Sequence, residues 1–102
     1  MDIKTTIKES TLCVSLSGEL DECSADFTRT YLDRAFEDNL YKDVLLDFNK
    51  LEFMDSTGIG VLLGRYKKLK SKSKNIYITN ANPTVEKIIK MSGIYEIMPK
   101  IS

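Results

Sequence analysis

Leu51-Glu52-Phe53-Met54-Asp55-Ser56-Thr57-Gly58-Ile59-Gly60-Val61-Leu62-Leu63-Gly64-Arg65-Tyr66 is the stretch on which the fold turns. An apolar run ends at Asp55. The small polar pair Ser56-Thr57 follows, and a helix-period pattern then begins. Gly58 and Gly60 fall where the first turn of that helix belongs. Glycine weakens a helix interior by about 1 kcal/mol relative to alanine. Two glycines there need a reason, and close approach of another molecule to the backbone is one. A serine at such a helix start is either an N-cap or a handle for a partner. Asp55 is the alternative cap.

Upstream, Ile3–Ile7 alternates weakly, as an edge strand does, and Glu9-Ser10 marks a turn. In Thr11–Ser17, Leu12, Val14 and Leu16 point one way while Thr11, Cys13, Ser15 and Ser17 point the other. Such period-two alternation predicts a strand with one buried face. The two strands form an antiparallel hairpin. Gly18–Ser24 is a connecting loop in which Asp21 or Ser24 could cap the next helix. That helix runs from about Ala25 to Glu37, with Ala25, Tyr31, Leu32, Ala35 and Phe36 on one stripe and Asn39 near its end. Asp43–Phe48 is a short central strand.

Downstream, a helix over about Thr57–Lys70 carries a core stripe of Ile59, Leu62, Leu63, Tyr66 and Leu69. Thr57, Gly60, Val61, Gly64 and Lys68 lie opposite, which places Val61 toward solvent between glycines. Lys67, Lys68, Lys70, Lys72 and Lys74 form a basic tail, read as a solvated face with cations near the helix C-terminus. Asn75–Thr79 is another strand. Asn82-Pro83 starts a helix, with asparagine as cap and proline at the first helical position. Val85, Ile88 and Ile89 are its buried face, and Gly93 is its C′ residue. Ile94–Met98 is expected to be a last short strand. The order β-β-α-β-α-β-α-β predicts an α/β domain spanning residues 1–102. Its sheet is mixed but mainly parallel, with four to five strands and with right-handed crossovers that put the helices mostly on one face.

Composition narrows the function. The 102 residues carry 15 basic and 15 acidic side chains, a net charge of zero. Nucleic acid is disfavoured as a partner, because phosphate binding needs a basic excess. No stretch approaches the roughly 20 apolar residues of a membrane span, and the N-terminus has no signal-peptide character, so a cytoplasmic location is expected. Cys13 and Cys23 show no metal or disulfide spacing and are expected to be reduced thiols. The chain has no histidine. That excludes serine–histidine mechanisms and histidine-ligated metals, and it lowers the expectation of catalysis. Neither a metal nor a cofactor is predicted. Gly58, Gly60 and Gly64 loosely resemble a dinucleotide fingerprint. However, the spacing is wrong and no acid ends the following strand, so a small nucleotide-binding domain is the alternative reading.

Gly18-Glu19-Leu20-Asp21, Phe53-Met54-Asp55-Ser56-Thr57-Gly58-Ile59-Gly60-Val61, Gly64-Arg65-Tyr66-Lys67 and Met91-Ser92-Gly93 together resemble the STAS-domain anti-sigma factor antagonists of spore-forming bacteria. The resemblance spans essentially the whole chain and implies the STAS fold. It further implies a regulatory protein, not an enzyme, that works by partner switching. The unphosphorylated form binds an anti-sigma factor with serine kinase activity and so releases a sporulation sigma factor. Phosphorylation on the serine at position 56 ends the binding, and a serine phosphatase restores it. By the same resemblance Asp21 lies close to Ser56, and helix capping is its competing role. The partner surface is expected around Asp21, Asp55, Thr57, Gly58, Gly60, Val61 and Gly64. Thr57 stands where many relatives have a second serine, which leaves a second hydroxyl acceptor beside Ser56. The chain also stops at Ser102, where relatives often continue into a further helix.

Overall fold

The computed structural model describes residues 1–38 and 40–101; Asn39 and Ser102 lie outside the described residues. The elements are β1 (Asp2–Lys8), β2 (Thr11–Leu20), α1 (Ala25–Ala35), β3 (Asp43–Met54), α2 (Ser56–Ser71), β4 (Asn75–Thr79) and α3 (Pro83–Ser92). A short 3-10 helix (Ile94–Glu96) follows α3. The strands lie in the order β1-β2-β3-β4. β1 and β2 are antiparallel, and β2–β3 and β3–β4 are parallel. The mixed, mainly parallel sheet with three α-helices is the expected α/β architecture.

Glu9 and Ser10 form the β1–β2 turn with φ of 53° and 64°. Positive φ at both central residues gives the backbone twist that closes a two-residue hairpin. Leu12, Val14 and Leu16 of β2 are buried, as are Val44, Leu46 and Phe48 of β3 and Ile76 and Ile78 of β4. This face carries the core, completed by Leu32 and Phe36 at α1, Leu62 and Leu69 of α2, and Val85 and Ile89 of α3. Cys13, Ser15 and Ser17 are half-buried on the other face.

Both central strands run further than their sequence patterns suggest. β2 continues through Gly18 to Leu20 and β3 continues from Phe48 to Met54, in register Leu20↔Met54. Bulges at Ser15/Ser17 and Gly18/Glu19 conceal the extension, because each slip breaks the period-two alternation. Gly18, at φ 108°, adopts a conformation that favours glycine. The physical result is that two parallel strands end side by side, bringing the loop after β2 against the start of α2.

Two further expectations are corrected. Ile94–Met98 is not a strand. Gly93 caps α3 in the left-handed conformation, as expected, but a 3-10 helix follows and buries Ile94 and Met98. Those apolar residues are four apart, which is helical spacing. The strand-like pairing falls later: Ile78 donates its N–H to Pro99 O and accepts from Ile101 N–H, so residues 99–101 pair with the outer edge of β4 at Ile78. The basic tail is also mostly engaged. Lys68 pairs with Asp33, Lys72 Nζ donates to Phe36 O, and Lys74 Nζ donates to Tyr41 O while lying 3.7 Å from the Tyr41 ring centroid. These lysines fasten the end of α2 to the segment after α1.

The α2 stripe is rotated by about one position from the expected one. Its buried residues are Gly58, Val61, Leu62, Arg65 and Leu69. Val61, expected to face solvent, is fully buried, and Leu63, expected in the core, is exposed. Arg65 misled the periodicity, because its aliphatic stem occupies a core-facing position.

Candidate functional site

The site is the junction of β3 and α2. Asp55, in extended conformation, is the N-cap of α2, and its Oδ1 accepts the Gly58 N–H at 2.9 Å. Ser56 therefore occupies the first helical position and is exposed, its hydroxyl outside the cap. Of the two cap candidates, Asp55 holds the role. Thr57 is half-buried.

The loop after β2 sits against this junction. Asp55 N–H donates to Leu20 O at 3.3 Å, and Asp55 Oδ2 accepts the Glu22 N–H at 3.2 Å. Asp21 does not cap α1 by bonding a first-turn amide. Its Oδ1 accepts the N–H groups of Cys23 and Ser24, at 3.0 and 3.1 Å, and so shapes the loop that Asp55 anchors. Ser24 Oγ is likewise spent within the loop, donating to Glu19 O at 2.7 Å. The chain thus brings Asp21, Asp55 and Ser56 to one end of the sheet, at the C-terminal ends of parallel strands, where α/β folds commonly place their functional loops.

The three glycines have different causes. A Cβ on Gly58 would lie 2.3 Å from Leu20 O and 2.7 Å from Met54 Cγ, so side-chain absence is required for α2 to seat on the strand ends. A Cβ on Gly60 or Gly64 would meet nothing within 4 Å. Packing within this chain explains Gly58 but neither Gly60 nor Gly64, each of which weakens the helix for no internal gain. Gly60 is exposed and Gly64 half-buried, and with exposed Ser56, Leu63 and Lys67 they form the outer flank of α2. Leu63 takes the place expected of Val61 as the apolar side chain there. The glycines do not form a phosphate cradle: the Gly58 amide is already bound by a carboxylate, and Gly60 and Gly64 lie on an open helix flank.

Sequence reading missed Arg65. It lies between α1 and α2, almost fully buried, with Nε 3.0 Å from Asp33 Oδ1. The approach is not aligned as a hydrogen bond, and among the described residues Nη1 is buried without a partner. A stripe at 58, 61, 62, 65 and 69 was available from spacing once an arginine stem is counted as apolar.

A model of the STAS domain family matches residues 2–102, and the chain belongs to that family. The anti-sigma F factor antagonist of Paenibacillus polymyxa is 41% identical over 88 residues, covering 86% of this chain and 75% of that protein. The anti-sigma-B factor antagonist of Staphylococcus aureus is 26% identical over 98 residues, covering 96% and 90%. The anti-sigma factor antagonist SpoIIAA in its unphosphorylated form has a solved structure similar to this one. The TM-score is 0.81 at 27% identity, over 99% of this chain and 89% of that one. The phosphorylated form of the Bacillus cell fate determinant SpoIIAA gives 0.73 at 26% identity, over 99% and 92%.

Proposed function

We propose that this chain is an anti-sigma factor antagonist whose unphosphorylated form binds an anti-sigma factor with serine kinase activity and thereby frees a sporulation sigma factor. Ser56 is the phosphoacceptor, and a serine phosphatase resets it. The protein works as a single cytoplasmic domain, as a kinase and phosphatase substrate and not as an enzyme. The observation that carries the reading is the division of labour at the helix start. Asp55 supplies the cap, and the exposed Ser56 hydroxyl next to it makes no hydrogen bond among the described residues. The names of the relatives supply the partner class, and the two solved forms of SpoIIAA supply the kind of modification.

The geometry also suggests how the switch acts. A phosphate on Ser56 adds roughly −1.5 to −2 charges. At the first helical position that charge is favoured by the helix dipole, so the fold should persist. The penalty falls on a partner covering the flank of Ser56, Gly60, Leu63 and Gly64, with Asp21 and Asp55 adding like charge. An unpaired buried charge at an interface costs about 2–5 kcal/mol. That corresponds to roughly 30- to several-thousand-fold in affinity.

The test is intact and fragment mass analysis after incubation with the cognate anti-sigma kinase and Mg-ATP. One phosphoryl group on Ser56 is expected. Modification on Thr57 would move the acceptor by one residue. Binding with no modification would reduce the chain to an unswitched interaction module.

A further inference from the structure

Among the described residues β1 has no partner on its outer side, whereas β4 is blocked at Ile78 by residues 99–101. Its helix-side residues are Ile3, Thr5 and Ile7, paired to Leu16, Val14 and Leu12 of the core face. Asp2, Lys4, Thr6 and Lys8 point to the other face. Ile3 is buried, but Ile7 at the far end is 40% exposed. Above the edge, α1 leaves Phe27 52% exposed, its ring centroid 6.1 Å from that of Tyr31. Phe27 and Tyr31 line a groove of about 490 Å³ together with Thr5 of β1 and Arg34.

We propose that β1 pairs antiparallel with β1 of a second copy of this chain, about a two-fold axis through Thr5 and normal to the sheet. In that register Asp2 faces Lys8 of the second copy, Ile3 faces Ile7, Lys4 faces Thr6 and Thr5 faces itself. The segment Asp2-Ile3-Lys4-Thr5-Thr6-Ile7-Lys8 is self-complementary. Opposite charges meet twice and the apolar pair meets twice, as a two-fold interface requires. The nearest alternatives that keep the same face, slips of two residues, are disfavoured by charge, and slips of four pair far less of the strand. A slip of two residues one way sets Lys4 against Lys8, and the other way sets Lys4 against Lys4. A one-residue slip exchanges the faces. The axis keeps the helices of both copies on one side. The two α1 helices then flank the dyad, running antiparallel, and Phe27 is carried toward the exposed Ile7 of the second copy. Edge lysines guard against indiscriminate pairing, and here Lys4 and Lys8 favour the register that pairs the whole strand.

The test is sedimentation equilibrium on the full chain over a concentration series, with charge swaps at the exposed positions 2 and 8. A monomer–dimer equilibrium is expected. Asp2→Lys or Lys8→Asp alone sets two like-charge pairs across the dyad and should weaken dimerisation roughly tenfold. The double variant exchanges the signs and should return to within about threefold of the parent. A monomer at every concentration up to the millimolar range would overturn the proposal. So would a dimer indifferent to the single swaps, or a double variant as weak as either single.

Discussion

Asp55 joins two segments of the chain. Its Oδ2 accepts the Glu22 N–H, thirty-three residues away in sequence, while its Oδ1 caps Gly58. One carboxylate therefore sets both the start of α2 and the position of the Asp21 loop. Asp55→Ala should cost about 1–2 kcal/mol, the value of a lost cap, and speed hydrogen exchange at the Gly58 and Glu22 amides. Asp55→Asn keeps one acceptor oxygen. It should protect Gly58 but release Glu22.

The three glycines should respond in opposite directions. Gly58→Ala drives a methyl into Leu20 O and should destabilise by about 2–3 kcal/mol or more. Gly60→Ala and Gly64→Ala meet open space and should each stabilise the free protein by roughly 0.5–1 kcal/mol. If those two also weaken anti-sigma factor binding, their absent side chains serve the partner. Urea denaturation and titration calorimetry separate the two effects.

Ser56→Ala should bind the partner and resist switching off. Ser56→Asp should bind more weakly with a nearly unchanged melting curve, because the residue is exposed at a helix start that favours negative charge. Unfolding of Ser56→Asp would place the effect in the fold and not in the interface. On the same flank, Leu63→Glu should block binding and leave the melting curve in place. Val61→Glu, buried, should unfold the domain.

Much of the fold is legible in the sequence. Element order, the Asn82-Pro83 helix start, the Gly93 cap and the buried rows of β2 and α3 follow from spacing and from backbone preferences that act locally. Apart from Ile94–Met98, where the four-residue spacing was itself helical, the main errors share one cause, which is tertiary compensation. Bulges hid the last residues of β2 and β3, so the side-by-side strand ends that assemble the site had no periodic signal. Arg65 took a core position because Asp33, on another helix, could stand near its guanidinium, and that rotated the inferred faces of Val61 and Leu63. No local pattern announces a contact between Glu22 and Asp55.

The Arg65–Asp33 pair gives a test of that compensation. Asp33→Ala leaves the buried Arg65 guanidinium without its carboxylate and should cost about 3–5 kcal/mol. Arg65→Met retains the stem volume without the charge and should be close to neutral. A loss in Arg65→Met as large as in Asp33→Ala would mean that the ion pair itself, and not the stem alone, holds this position.

The Tyr95–Glu86–Lys100 cluster predicts a pH dependence at the β4 edge of the sheet. Tyr95 OH lies 3.2 Å from Glu86 Oε1, and Lys100 Nζ lies 2.6 Å from the same atom. The Lys100 hydrogen bond holds the Glu86 carboxyl below its usual range. Burial, with Glu86 beside it, pushes the Tyr95 hydroxyl up to about 12. A depressed carboxyl stabilises the fold above its unfolded pKa, and that contribution disappears as pH falls through the folded value. The raised tyrosine stabilises below pH 10, and its contribution disappears as pH rises toward 12. The Ile78 and Ile101 amides should therefore exchange faster, beyond the intrinsic change, below about pH 4. Tyr95→Phe should remove one late component from the alkaline tyrosine titration.

Residues 99–101 take on a meaning beyond the coverage of β4. A sheet with two bare edges can add copies at both sides and grow into a fibre. This one is blunted on one side, so any growth along it stops at a pair. A chain cut before Pro99 would lose that stop, and its hazard would be open-ended polymer.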